Sequence, residues 1–175
     1  MKTVTINIYQ FSELSDEAKE NAIKELYDIN VDSDWWDNTY EDAAQINLKI
    51  KGFDIDRGSY VNAEFIESAN NTAELIIMNH GESCETYKTA KSFLQDYNEL
   101  VAKYSDGVKT DRVTEDNEYD FDNESDDLEN DFLQSISEDY RIILSNEYDY
   151  LTSEKSIIET IEANEYDFTE YGQLK

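Results

Sequence analysis

Leu48-Lys49-Ile50-Lys51-Gly52-Phe53-Asp54-Ile55-Asp56-Arg57-Gly58-Ser59-Tyr60-Val61-Asn62-Ala63-Glu64-Phe65-Ile66 is the stretch that decides the fold. Leu48 and Ile50 alternate with Lys49 and Lys51, the period-2 pattern of a half-buried strand. Gly52 to Gly58 is expected to be a bend region, with Asp56-Arg57-Gly58-Ser59 as its turn. Tyr60 to Ile66 alternates again, so the whole stretch predicts an antiparallel hairpin.

Outward from the hairpin, helices dominate. Thr3 to Tyr9 alternates as a further strand, with Val4, Ile6 and Ile8 on one face. Ser15 is placed to cap a helix, with Asp16 and Glu17 favourable at its positive end and Ala18, Ala22, Ile23 and Leu26 as its stripe. A short helix is expected from Ser33, carrying Trp35, Trp36, Tyr40 and Ala43. Asn71 with Glu74 reads as a capping pair before Leu75-Ile76-Ile77, and Gly81 as a left-handed stop. Ser83 opens a long helix whose stripe is Tyr87, Ala90, Phe93, Leu94, Tyr97, Leu100, Val101 and Tyr104. Ser125 caps a second, with Leu128, Phe132, Ile136, Tyr140, Ile143 and Leu144. A short helix through Ile157, Ile158 and Ile161 follows, and the tail from Tyr166 to Tyr171 alternates weakly as a last strand. The expected class is α+β: a small antiparallel sheet packed against several helices, two of them long and amphipathic.

Charge sets the kind of partner. The 175 residues hold 42 carboxylates against 14 Lys and Arg, a net charge of −28. That surplus excludes direct binding to nucleic acid, which needs a basic footprint, and argues against docking on anionic lipid. No apolar run approaches a membrane span, Met1-Lys2-Thr3-Val4-Thr5 is no leader, and the single cysteine, Cys84, fits a reducing cytoplasm. The expected location is therefore a reducing cytoplasm. Between Val113 and Tyr140 there are 12 acids and no base. The shift of composition at Ser105-Asp106-Gly107 divides an α+β core, residues 1–104, from an acidic loop, long helix and C-terminal segment, residues 105–175, within one compact unit.

The acid-rich stretch supplies the candidate partner-binding residues: Glu115, Asp116, Glu118, Tyr119, Asp120, Phe121, Asp122, Glu124, Asp126, Asp127, Glu129 and Asp131. Read as extended chain, Glu115 to Asp131 spans about 56 Å at ~3.3 Å per residue. That places a charge every ~5–6 Å, the order of the ~3.4 Å between phosphates of one strand along a duplex axis. Trp35 and Trp36 join the candidates. Neighbouring helix positions point about 100° apart, so one Trp is expected buried and the other open, rimmed by Asp32, Asp34, Asp37, Glu41 and Asp42 as an interface anchor. Burial of both beneath neighbouring elements is the alternative.

A pentapeptide recurs as Asn117-Glu118-Tyr119-Asp120-Phe121, Asn146-Glu147-Tyr148-Asp149-Tyr150 and Asn164-Glu165-Tyr166-Asp167-Phe168. Its aromatics and carboxylates together offer stacking area and charge, as single-stranded nucleic acid does. The plainer alternative is that the rings anchor segment ends while the acids face water.

No chemistry stands out. Asp116, Glu118, Asp120 and Asp122 imitate a calcium loop, but Phe121 stands where glycine is required and Asp127 where a bidentate Glu belongs. The Asp54-Asp56 start fails likewise, with Phe65 at its twelfth position. His80 and Cys84 are too few for structural zinc. As a nucleophile and base they lack an orienting partner, and a helix-end His with a packed Cys is the simpler expectation. No catalytic residue, metal ligand or cofactor is assigned.

Phe11-Ser12-Glu13-Leu14-Ser15-Asp16-Glu17-Ala18-Lys19 and Gly52-Phe53-Asp54-Ile55-Asp56-Arg57-Gly58-Ser59-Tyr60 resemble blocks of a group of small phage and prophage proteins, mainly hypothetical. The likeness covers residues 1–104 and a piece of the tail, Phe168-Thr169-Glu170. It implies a mobile-element origin. In character the chain is similar to anti-CRISPR and other anti-defence inhibitors. The leading expectation is an inhibitor of a CRISPR RNA-guided effector nuclease, which holds guide and target in strongly positive channels. An immunity or antitoxin protein against a basic nuclease toxin, and a small thiol- or carboxylate-dependent enzyme, are the alternatives.

Overall fold

The structure, a computed structural model, describes residues 7–108 and 115–175, with side chains described for 7–105 and 120–175. The strand expected at Thr3–Tyr9 falls mostly outside these residues. Six α-helices and four strands form two separate antiparallel pairs among them, an α+β fold.

The chain divides into two compact units, one of residues 36–144 and one of residues 1–35 with 145–175. The shift of composition at residue 105 falls inside the first of these, within a helix.

The larger unit is built on the hairpin. Strand β2 (Leu48–Asp54) pairs with β3 (Tyr60–Phe65). Leu48 and Ile50 are buried, while Lys49, 3.3 Å from Glu64, and Lys51 meet that carboxylate on the open face. The strand runs further than expected, through Gly52 to Asp54, because a bulge between Ile50 and Gly52 absorbs one residue and lets pairing continue. Asn47 enters β2 with φ 58, a left-handed conformation that Asn tolerates. Its side chain donates to Asn71 at 2.6 Å.

Helix α2 (Asp37–Gln45) precedes the hairpin and α3 (Ala69–Asn79) follows it. Helix α2 starts at Asp37, with Trp35 and Trp36 in the turn before it. In α3 the cap is Ser68, whose hydroxyl accepts from the Asn71 amide at 3.2 Å, so Asn71 lies inside the first turn. The stop is His80 in extended conformation and not a left-handed Gly81.

Helix α4 (Glu85–Val108) and helix α5 (Glu115–Leu151) run antiparallel. Tyr104 meets Phe121, Phe93 stacks on Phe132 with centroids 4.3 Å apart, and Thr89 bonds Asp139. Helix α5 begins at Glu115, so the expected acidic loop is helical from there on. Glutamates and aspartates near a helix start favour it through the dipole, and no Gly or Pro interrupts the run. Ser125 caps nothing; it is buried within the helix. The inward row is Ser125, Phe132, Ile136, Tyr140 and Leu144, largely at steps of four, and Ile143 is left 38% exposed. The core of this unit gathers Ile46, Leu48, Ile76, Phe93, Phe132 and Ile136.

The smaller unit joins both ends of the chain. Strand β1 (Tyr9–Gln10) pairs with β4 (Asp167–Phe168). Helix α1 (Asp16–Glu25), capped by Ser15 as expected, and α6 (Glu154–Ala163), capped by Ser153, bury Ala18, Ala22, Ile157 and Ile161 with Phe11 and Phe168. Asn30 ties the two stretches: its amide donates to Leu151 O at 3.0 Å and Ser156 Oγ at 3.2 Å, and it accepts from Thr160 Oγ1 at 2.7 Å. Gly172 takes φ +83, and a Cβ there would lie 2.0 Å from the Ala18 carbonyl oxygen.

Candidate partner-binding surface

The N-terminal half of α5 carries the acid-rich stretch, and helical geometry sorts its carboxylates. At 100° per residue, Asp120, Glu124, Asp127 and Asp131 fall within about 60° of one another. Asp122, Asp126 and Glu129 gather on the opposite side of the inward seam. The expected continuous ribbon is therefore two rows. Asp120 to Asp131 advances about 16 Å at 1.5 Å per residue, and the span of Glu115 to Asp131 shrinks from the expected 56 Å to about 24 Å. The charges are closer than in extended chain. Glu115, Asp116, Glu118 and Tyr119 lie outside the described side chains.

From Glu124 to Asp131 the first row faces α4 across an open groove of about 540 Å³. Leu100 and Leu128 give it an apolar floor, and Asp96, Glu99, Asp127 and Asp131 line its walls. One base intrudes: Lys103 holds both Glu124 oxygens at 2.7 Å, and Tyr104 donates to the same carboxylate at 2.8 Å. The Lys103 ammonium lowers the pKa of Glu124, and Glu124 in turn raises that of Lys103. Phe121 is half-buried, edge-on to Tyr104 at 5.4 Å, so this aromatic supports the helix pair. Glu129 has its pKa raised, first by burial and then by Asp126. The remaining members of the two rows are exposed.

Trp35 and Trp36 do not divide into one buried and one open ring. Both are half-buried. Trp35 lies 5.7 Å from Tyr148 in the smaller unit, and Trp36 lies 5.5 Å from Phe53 in the larger. The divergence of adjacent side chains gives each ring its own aromatic neighbour.

The three pentapeptides occupy three settings. The first is inside α5, the second ends α5, and the third leaves α6 through Glu165, φ 52, into β4. Tyr148 and Phe168 pack inward, whereas Tyr150 is 56% exposed. Anchoring of segment ends accounts for the third copy.

His80 has partners that sequence spacing did not reveal. Its Nδ1 lies 2.8 Å from Thr86 Oγ1 and its Nε2 3.7 Å from Asp42 Oδ1. Tyr140, fully buried, donates to the other Asp42 oxygen at 2.6 Å. Burial, followed by that carboxylate, pushes the Tyr140 pKa far upward. Asp42 thus orients Tyr140 and locks α2 to α5, while Thr86 holds His80. Cys84 is exposed, not packed as expected. Among the described residues no group of three or more His, Cys, Asp or Glu is arranged to hold a metal ion, and no helix is long and apolar enough to cross a membrane. The stretch expected to imitate a calcium loop is helical instead of looped.

No family model matches the chain, and no curated protein or solved structure matches it either.

Proposed function

We propose that the protein is an inhibitor that lays the α4–α5 carboxylate groove against a basic channel which ordinarily grips nucleic acid, that of a CRISPR RNA-guided effector nuclease. The observation that carries this reading is the row of Glu124, Asp127 and Asp131, continued toward the helix start by Asp120, with the first three faced by Asp96 and Glu99 across an apolar floor. Charges on a preformed helix pair repeat every ~5 Å along the axis, close to the spacing of a phosphate strand. A lysine or arginine of the channel would find carboxylates for its head and Leu100 and Leu128 for its aliphatic stem. Steering by the −28 charge would speed encounter and make binding sensitive to salt. No bond-making step is required of the inhibitor.

The test is guide loading and target cleavage by a purified effector of this class, with wild-type inhibitor and two variants. Asp120→Asn/Asp127→Asn/Asp131→Asn should weaken inhibition at least ~tenfold at low salt, by loss of three charge contacts. Lys103→Gln should strengthen it, since it frees Glu124. Unchanged inhibition in both variants removes the groove from the mechanism. Neutralisation of a basic toxin nuclease with no effect on the effector moves the same surface to the immunity role.

A further inference from the structure

Among the described residues, strand β3 is paired on one side alone. The Ile66 N–H donates to the Asn47 carbonyl at 2.8 Å, one step beyond the Leu48–Phe65 pair. In an antiparallel ladder, residues that bond across alternate with residues whose N–H and C=O point away. Phe65, Ala63 and Val61 are therefore the outward-pointing positions. Toward Phe65 the edge closes, because that ring stacks on Phe132 at 5.6 Å. At Val61 and Ala63 it stays open, and their backbone bonds to no other element among the described residues.

A groove of about 760 Å³ runs along this edge. Ser59 to Ala63 all line it, five consecutive residues. Successive strand side chains point to opposite faces, so an unbroken run means that the strand's edge forms the wall. The facing wall is α5, through Leu133, Gln134, Ser137 and Glu138. Arg141 closes one end, bonded to Ser59 at 3.1 Å and to Glu138 at 2.6 and 2.7 Å. The groove shares no residue with the carboxylate groove between α4 and α5.

We propose that this groove receives an extended segment of a basic partner protein, added to β3 as a third antiparallel strand. The chemistry of the edge asks for a peptide backbone, with alternating amides and carbonyls to meet those of Val61 and Ala63. Leu133 offers apolar contact to inward side chains of the segment, and Gln134 and Ser137 offer hydrogen bonds. Charge selects the occupant. Glu138 is already held by Arg141, so the uncompensated charge at the groove is that of Asp139, set within a chain that carries −28, and lysines or arginines flanking the segment are favoured. A second copy of this chain would bring another −28 to the same edge and is disfavoured.

Amide hydrogen exchange on the full chain tests the proposal, with a capped peptide of alternating lysine and valine as the probe. In the free protein, the Val61 and Ala63 amides should exchange faster than those of Asn62 and Glu64. The peptide should slow them at least ~tenfold, the mark of new hydrogen bonds, whereas a glutamate–valine counterpart should not. Ala63→Pro removes an outward N–H without touching the β2 ladder, a place where edge strands accept proline, and should abolish the effect. If that variant does not fold, the lysine–valine peptide with alternate amides N-methylated serves in its place and should fail on the wild-type chain. Protection of Val61 and Ala63 in the free protein, no slowing by the lysine–valine peptide, or equal slowing by the N-methylated form overturns the proposal. Edge protection that rises with protein concentration, together with a dimer in sedimentation, assigns the edge to a second copy and overturns it as well.

Discussion

Replacing Asp120, Asp127 and Asp131 together by Asn should make the protein more stable while weakening its binding. Neighbours at helix steps of three and four lie about 5–6 Å apart. Two like charges at 6 Å repel by roughly 0.7 kcal/mol in water. At physiological salt, with a screening length of about 8 Å, some 0.3 kcal/mol of that survives. Glu124 is already compensated by Lys103, so the repulsion resides mainly between Asp127 and Asp131 and across the groove to Asp96 and Glu99. The sum is about 0.5–1 kcal/mol at physiological salt, and about 1–2 kcal/mol near 10 mM, where screening is weak. At ~2–4 °C per kcal/mol for a chain of this size, the melting temperature should rise by a few degrees at low salt. Urea unfolding followed by far-ultraviolet circular dichroism at both salts reads the effect. A variant that is less stable than wild type, or whose gain does not grow as salt is removed, refutes the argument. The carboxylates would then be supports of the helix pair.

Gly172→Ala should cost roughly 2–5 kcal/mol: about 1–2 for a left-handed non-glycine residue and about 1–3 for overpacking against the Ala18 carbonyl. Gly52→Ala, where nothing lies within 4 Å of the added carbon, should stay within ~0.5 kcal/mol, and urea midpoints compare the two. Tyr140→Phe should cost about 1–2 kcal/mol in the same assay. It deletes a hydrogen bond to a charged acceptor, worth ~1.5–3 kcal/mol, but Asp42 is half-exposed and partly recovers water. Glu129→Gln should stabilise the protein at pH 7. The folded-state pKa of Glu129 is raised by burial and Asp126, so the wild-type side chain favours folding when protonated, and that contribution is lost as pH rises through the folded value. The gain of the variant should therefore vanish below the ordinary glutamate range, about pH 4, as a pH series of urea midpoints would show.

Local signals carried much of the fold. The hairpin was legible because Leu48 and Ile50 alternate with lysines and Asp56-Arg57-Gly58-Ser59 supplies turn chemistry; Gly52 misled only because a bulge imitates a bend. Helix α1 was legible from Ser15, Asp16 and Glu17. The start of α5 was not, since Ser125 followed by Asp126 and Asp127 is as good a cap signal as Ser15. An acid-dense run of high polarity also looks the same in a loop and on a solvated helix. Alternation marked Thr3–Tyr9 and Tyr166–Tyr171, but the pairing of Tyr9 with Phe168 had no local trace, because nothing along the chain specifies which distant strand a strand joins. Within the candidate surface, the acids were legible as composition, but their division into two rows depends on the helical register. The bond from Tyr140 to Asp42 joins residues 98 positions apart and leaves no pattern along the chain.

The smaller unit draws on residues 1–35 and 145–175, with the larger unit inserted between them. During synthesis, residues 36–144 can collect their own core as soon as they emerge. Phe11 and Leu14 must wait for Ile157, Ile161 and Phe168. At ~5–20 residues per second, the roughly 150 residues between them take about 7–30 seconds to make. For that interval the apolar stripe of the first helix stays uncovered on the nascent chain, a sticky, unfinished end that only the last-made residues can close.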